Sequence, residues 1–276
     1  MDAHRWLANL PSELEMQVQI LLGLLEVCEK QTEARVFLVG CSIGRGVADE
    51  LSDVDCFIGV RKDAVDTVVD AVCAALPGMG KLVDVLQHAY KGQLRRIFAQ
   101  FGSGAQLDLV VAEALTGRAP DEVVLYDPDA LMSTQRIPSV DVVTVGDVRE
   151  WTFLGWVALA DMSKYLHRGS TWEALDRLSD ARTRIWSLWA AAKGARYPVF
   201  GLSQVLDRDP NDLPLDIEET VADLNPTHLA SAGASACLVL AQVSSLAAHL
   251  LGGEVPTAMQ HHVTSLFGAV TYENER

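Results

Sequence analysis

Apolar residues at Leu14, Val18, Ile20, Leu21, Leu24, Leu25 and Val27 fall largely on one face of a helix over residues 12–31, and Ser12 and Glu15 stand at capping-box spacing behind Pro11. The apolar run 36–39 then reads as a first strand and 54–60 as a second, with a polar, glycine-containing loop between them. Asp63 opens another helix, which Pro77-Gly78 stops after Leu76. Segments 82–88, 94–101 and 107–111 alternate or run apolar. The turn residues Lys91-Gly92 and Gly102-Ser103-Gly104 separate them, which predicts a mixed or antiparallel continuation of one sheet. Residues 123–126 read as an edge strand ahead of the turn Asp127-Pro128-Asp129.

From Val148 the period changes. Trp151, Leu154, Val157, Ala158 and Met162 share a helix face, as do Trp172, Leu175, Leu178, Ile185, Trp186, Leu188 and Trp189 in the next segment. Residues 197–226 hold four of the ten prolines and predict an irregular or short-helix connection. Two more helices follow at 229–251 and 256–267, broken at Gly252-Gly253. The predicted fold class is therefore α+β. A mixed sheet flanked by helices over 1–145 is followed by a helical bundle over 146–276, with the boundary near 140–147. There are no internal repeats or low-complexity tracts.

Composition narrows the function. The 276 residues are 49% hydrophobic and 21% charged, enough for two ordinary domains with proper cores. A net charge of −15 and a pI near 4.8 set a field that repels nucleic acid and attracts small cations, although many proteins are acidic without such a ligand. The sequence shows no apolar run of about 20 residues, and its first residues lack the order of a signal peptide, so the expectation is a soluble, cytoplasmic protein with no membrane partner. Five scattered cysteines (Cys28, Cys41, Cys56, Cys73 and Cys237) without Cys-x-x-Cys spacing predict neither disulfides nor a zinc site, but small buried hydrophobes.

The chemistry concentrates in residues 36–60. Asp53 and Asp55 are one residue apart at the start of a strand, so both side chains point to one face. A divalent cation, a shared proton or plain solvent exposure would each account for the pair. The preceding loop contains Ser42, Gly44, Arg45 and Gly46, a set suited to closing on phosphate. The order Gly40-Cys41-Ser42, then Gly46, then Ser52-Asp53-Val54-Asp55 resembles the nucleotidyltransferase superfamily of polymerase β and the antibiotic nucleotidyltransferases. That signature is a hydrophobic strand, a Gly-Ser turn and a downstream Asp-x-Asp. Cys41 occupies the place where that family most often has glycine. If the turn needs a positive φ there, the phosphate grip suffers; if it hinges on Gly40, cysteine is tolerated.

The resemblance implies a nucleotidyltransferase-type sheet, with Asp53 and Asp55 as catalytic Mg²⁺ ligands and Asp108, on the strand at 107–111, as the third. It also implies that Gly40, Ser42, Arg45, Gly46 and Ser52 hold the nucleotide, with ATP or another NTP as co-substrate. The stretch Lys164-Tyr165-Leu166-His167-Arg168-Gly169 before Trp172-Glu173-Ala174-Leu175 is similar to the helix–turn–helix in the C-terminal domains of aminoglycoside nucleotidyltransferases. The implied activity is transfer of AMP or another NMP to a hydroxyl of a small, cationic acceptor such as an aminoglycoside-like or lincosamide-like antibiotic, in a family where homodimers occur. The alternatives are modification of a protein side chain, as in antitoxin-like relatives, and a nucleotide-binding relative without turnover. Glu113, Glu150 and Asp161 are candidate general bases by position, though each also reads as a surface acid. The adjacent His261 and His262 point about 100° apart on a helix and suit no shared metal. His88 and His167 read as structural. Core packing is the first reading of Trp151, Trp156, Trp172, Trp186 and Trp189, with a sugar-binding wall the second.

Overall fold

The computed structural model describes residues 2–89, 94–136 and 143–273, with side chains to 268. The expected turn at Lys91-Gly92 lies outside these residues, as does part of the expected boundary at 140–147. The chain folds as two compact units, Met1–Ile137 and Pro138–Arg276.

The first unit is a six-stranded mixed sheet with helices on one face. In chain order its elements are α1 (Ala3–Ala8), α2 (Glu15–Lys30), β1 (Ala34–Val39), α3 (Cys41–Arg45), β2 (Val54–Val60), α4 (Val65–Ala75), β3 (Leu82–Ala89), β4 (Arg95–Phe101), β5 (Gln106–Glu113) and β6 (Val123–Tyr126). The spatial order is β3-β4-β5-β2-β1-β6. The β2–β5 pair is parallel and the other pairs are antiparallel. As expected, β6 is an edge strand.

Residues 12–14 form a short 3-10 turn rather than the first turn of α2, because Pro11 fixes the entry and Leu14 is buried there. The segment 41–45, read as a loop, is a single helical turn. Strand alternation decides what each face carries. Val54, Cys56, Ile58 and Val60 of β2, Leu107, Leu109 and Val111 of β5, and Ile97, Ala99 and Phe101 of β4 are buried. They belong to one core with Ile20, Leu21, Leu24 and Leu25 of α2 and Val65, Val68, Val69 and Val72 of α4. The alternate positions, among them Asp55, Asp108, Arg96 and Phe98, therefore lie on the opposite face.

The second unit consists of α5 (Val145–His167), α6 (Thr171–Ala192), α7 (Leu202–Arg208), α8 (Pro226–Leu251) and α9 (Thr257–Glu273). The helices α5, α6 and α8 pack together, with α9 against α5 and α8. A complete capping box at Thr144 and Asp147 starts α5, and the Arg168-Gly169 turn separates α5 from α6. Along α5 the buried stripe is Val148, Thr152, Gly155, Trp156, Leu159 and Met162. With Ala158 also buried, the stripe keeps Ala158 and Met162 of the predicted face but is rotated from the rest, so that Trp151, Leu154 and Val157 flank it, half-buried. The rotation follows from close approach by small residues, Thr152 and Gly155, which a pattern of large hydrophobics does not register. The tryptophans divide accordingly. Trp156 is fully buried, Trp151, Trp186 and Trp189 are half-buried, and Trp172, in the first turn of α6, is 72% exposed rather than packed.

The helix α8 revises another expectation, because it is long and apolar enough to cross a membrane by length and composition alone. Within the bundle, a face of Leu229, Ala232, Ala236, Leu240, Val243 and Ala247 is buried, which gives the apolar composition a packing role.

Candidate functional site

The site is assembled at the junction of β1, β2 and β5. The strand β1 ends at Val39, the chain turns through α3, and residues 46–53 return it to β2. The Gly40 amide donates to the Asp55 carbonyl at 3.0 Å, tying the start of the turn to the strand that carries the acids. Two glycines in the turn are required. Gly46 caps α3 in the left-handed region at φ 72°, its N–H donating to the Ile43 and Ser42 carbonyls. Gly44 has no room for a side chain, since a Cβ there would lie 2.2 Å from the Asp121 carbonyl oxygen and 3.0 Å from that of Val39. Gly40 is extended (φ −125°), and a Cβ there would meet only Glu122 Cγ, at 4.0 Å.

The hinge therefore falls on Cys41, at φ 50°. This is a costly conformation for a residue with a Cβ, by about 1–2 kcal/mol. Its thiol faces Asp55, to which it hydrogen bonds. Burial and then the Asp55 charge push the thiol pKa up to about 12, against a smaller opposing pull from Arg45. Cys41 is thus a proton donor to the acid cluster and a poor nucleophile. It is also exposed as a residue, unlike the buried Cys28, Cys56 and Cys237.

A knitted loop delivers Asp53. The Ser52 hydroxyl donates to Asp49 Oδ1 (3.0 Å) and accepts from the Asp49 amide (3.0 Å), while the Leu51 amide donates to the same carboxylate. Ser52, expected at the nucleotide, is occupied in shaping this loop. The buried Gln17 of α2 closes it from below, its side-chain amide donating to the Glu50 (3.1 Å) and Ser52 (3.0 Å) carbonyls. Gln17 escaped the sequence reading because a lone glutamine on an amphipathic helix looks like surface. Its position among Leu14, Ile20 and Leu21 was the available signal.

The register of β2 with β5 sets Asp55 directly opposite Asp108. Neighbouring strands are about 4.8 Å apart, so these carboxyls are adjacent, and Asp53 shares their face two residues earlier. One row runs Leu86, Phe98, Asp108, Asp55 across four strands. Like charges gathered this way raise the proton affinity of Asp53 and Asp55. Asp55 is held above the ordinary carboxylate range by burial first. Asp108 and Asp53 add to that rise, while the Cys41 hydrogen bond and Arg96 work against it. Asp53 is raised by burial and then by Asp108.

Arg96 is the partner the sequence reading missed. It stands diagonally from Asp108 on β4, its Nε donating to Oδ1 at 2.7 Å and its Nη2 to Oδ2. Its guanidinium carbon lies 4.5 Å from the centroid of the Phe98 ring. The alternation 96, 98, 100 against buried 97, 99 and 101 was legible, but its meeting with Asp108 depended on strand register. A cleft of about 320 Å³ opens beside the acids, lined by Asp53, Asp84, Leu86, Phe98, Gln100 and Asp108 among others.

Among the described residues, no group of three or more His, Cys, Asp or Glu side chains is arranged to hold a metal ion. Asp108 already has both oxygens on Arg96. The donor set that fits a divalent cation is thus the pair Asp53 and Asp55, which matches the one or two carboxylates magnesium takes when phosphates and water complete its shell.

Of the candidate general bases, only Glu113 belongs to the first unit. Glu113 pairs with Val60, five residues along β5 from Asp108, which places it about 16 Å away and on the other face. Asp161 is paired with Lys164 within α5, and Glu150 is exposed on the same helix of the second unit. His261 and His262 are exposed, and His167 Nδ1 lies 2.9 Å from the Ser163 carbonyl oxygen.

No protein-family model and no curated protein sequence matches the chain. Among solved structures it is similar to an aminoglycoside 6-adenyltransferase from Bacillus subtilis, with a TM-score of 0.40 and 16% identity over 95% of this chain and 99% of that one. It is also similar to JHP933 from Helicobacter pylori, with a TM-score of 0.28 and 11% identity over 88% and 98% of the two chains.

Proposed function

We propose that the protein is a nucleotidyltransferase that moves a nucleoside monophosphate, AMP from ATP in the simplest case, onto a hydroxyl of a small polar or cationic molecule. The observation that carries the proposal is the direct pairing of Asp55 with Asp108 across β2 and β5, with Asp53 on the same face and the α3 turn at its edge. Asp53 and Asp55, whose proton affinity is raised by burial and by their acidic neighbours, would be stabilised by a cation, and the adjacent turn suits an anion. A bound Mg²⁺ would offset charge on the α-phosphoryl group and the leaving pyrophosphate. Asp53 and Asp55 would hold it. Backbone N–H groups at the start of α3, with Ser42 and Arg45, would receive the triphosphate. Asp108, next to the cleft, would join the cation or orient the acceptor hydroxyl, whose proton would pass to solvent. The amide and acid lining from Gln100, Asp84 and Asp53, together with the net charge of −15, favours a polar or cationic acceptor, with aminoglycoside-like and lincosamide-like antibiotics the first to try.

The test is pyrophosphate release from the purified chain with Mg²⁺, each of the four NTPs and a panel of aminoglycosides and lincosamides. Acceptor-dependent release that disappears in Asp53→Asn is the expected result. Silence across the panel overturns the acceptor class. Absence of Mg²⁺-dependent NTP binding overturns the activity itself.

Cys41 supplies a prediction of its own. Cys41→Gly relieves the left-handed strain but removes a donor from Asp55, so the acid limb of the pH–activity profile should move to higher pH. Cys41→Ser keeps both the strain and a donor, and its profile should stay in place.

A further inference from the structure

Resting on the cation-dependent reading above, we infer that Arg96 is a resident counter-charge that competes with a divalent cation for Asp108, which makes it a positioning residue for the acid cluster. Three carboxylates on one sheet face repel one another, and a fold that assembles them before any cation arrives needs a positive charge among them. Arg96 meets that need by geometry. It engages both oxygens of Asp108, while the Phe98 ring supports the guanidinium from below. The pair is only partly withdrawn from water, with side-chain exposures of 37% for Arg96 and 20% for Asp108. It is sheltered enough to persist and open enough for exchange.

Both oxygens of Asp108 are turned to the guanidinium while Arg96 holds it, and Asp55 lies directly beside it. A cation drawn to Asp53 and Asp55 brings a second positive charge against the guanidinium, so recruiting Asp108 favours loss of one or both of its hydrogen bonds to Arg96. Phe98 offers Arg96 a resting place during the exchange, so the change asked of the chain is a side-chain rotation and not a movement of strands. Arg96 therefore weakens cation affinity and stabilises the cation-free sheet. An arginine acting only through its field would loosen cation binding by a similar factor with or without Asp108, whereas one acting through this contact does so only when Asp108 is present.

The experiment titrates the full chain with Mn²⁺ alone, without nucleotide or acceptor, and follows free Mn²⁺ by electron paramagnetic resonance and the melting temperature with and without the ion. Arg96→Ala is expected to bind Mn²⁺ about tenfold more tightly than the wild type, the scale of a lost charge-assisted hydrogen bond. Its melting temperature should fall without Mn²⁺ and recover with it. Adding Asp108→Asn to Arg96→Ala should abolish the gain. If Arg96→Ala does not fold, Arg96→Lys serves, since a single ammonium cannot cover both carboxylate oxygens, and its affinity should also rise. Equal or weaker Mn²⁺ binding in the variant that folds overturns this inference and leaves the nucleotidyltransferase reading standing. If neither the wild type nor the variants bind Mn²⁺, both fall.

Discussion

Asp55→Asn is expected to lower Mg²⁺-dependent turnover by at least about 10²-fold, yet to raise the melting temperature of the cation-free protein at neutral pH. Asp55 is half-buried, and its proton affinity is raised by burial and by its acidic neighbours. A carboxyl whose folded pKa lies above its unfolded value contributes stability that is fully present at low pH and is lost as pH rises through the folded value. The amide keeps the shape without the charge. The gain in melting temperature over wild type should therefore be largest near pH 7 and shrink as pH falls into the ordinary carboxylate range. Adding Mg²⁺ should stabilise the wild type and leave the variant unmoved. Loss of turnover together with a lower melting temperature at every pH would mean that Asp55 is a structural hydrogen-bond acceptor and not a strained site acid.

Gly44→Ala is expected to destabilise the first unit by about 3 kcal/mol and to abolish detectable NTP binding. The atoms in the way of a Cβ are the carbonyl oxygens of Asp121 and Val39. Backbone cannot rotate aside as a side chain can, so α3 must lift from the 119–122 segment and carry Ser42 and Arg45 with it. Gly40→Ala is the control, with an expected change within about 0.5 kcal/mol, because the nearest atom lies 4.0 Å away on a side chain. Urea denaturation and equilibrium dialysis with ATP measure the two effects. Equal stability of the two variants would show that the turn is looser than its packing implies.

These two glycines illustrate what could be read in advance. The sequence singled out residues 40–46 as one glycine-bearing turn, and nothing local distinguishes Gly40 from Gly44. The distinction comes from Asp121, nearly eighty residues away. The same holds for Cys41. Its departure from the family pattern was plain, and both outcomes, a hinge at Cys41 or at Gly40, were open until φ was known. The buried stripe of α5 was read only in part, at Ala158 and Met162, for a related reason, since its small residues declare themselves only when another helix comes close.

Apart from α1 and the helical turn α3, the order of strands and main helices, the division into a sheet-bearing half and a helical half, and the common face expected of Asp53 and Asp55 were determined by the sequence alone. Each follows from a local period, two residues in a strand or 3.6 in a helix, and a period needs no knowledge of the partner. Only the tertiary structure decided that β5 lies parallel beside β2, that Asp108 thereby faces Asp55, that Arg96 closes on Asp108 from a third strand, and that Glu113 is carried out of reach. Those facts depend on which strands become neighbours and in what register. A one-residue slip would turn every side chain of a strand to the opposite face, and the register is set by burial summed over the whole core rather than by any stretch of residues within it.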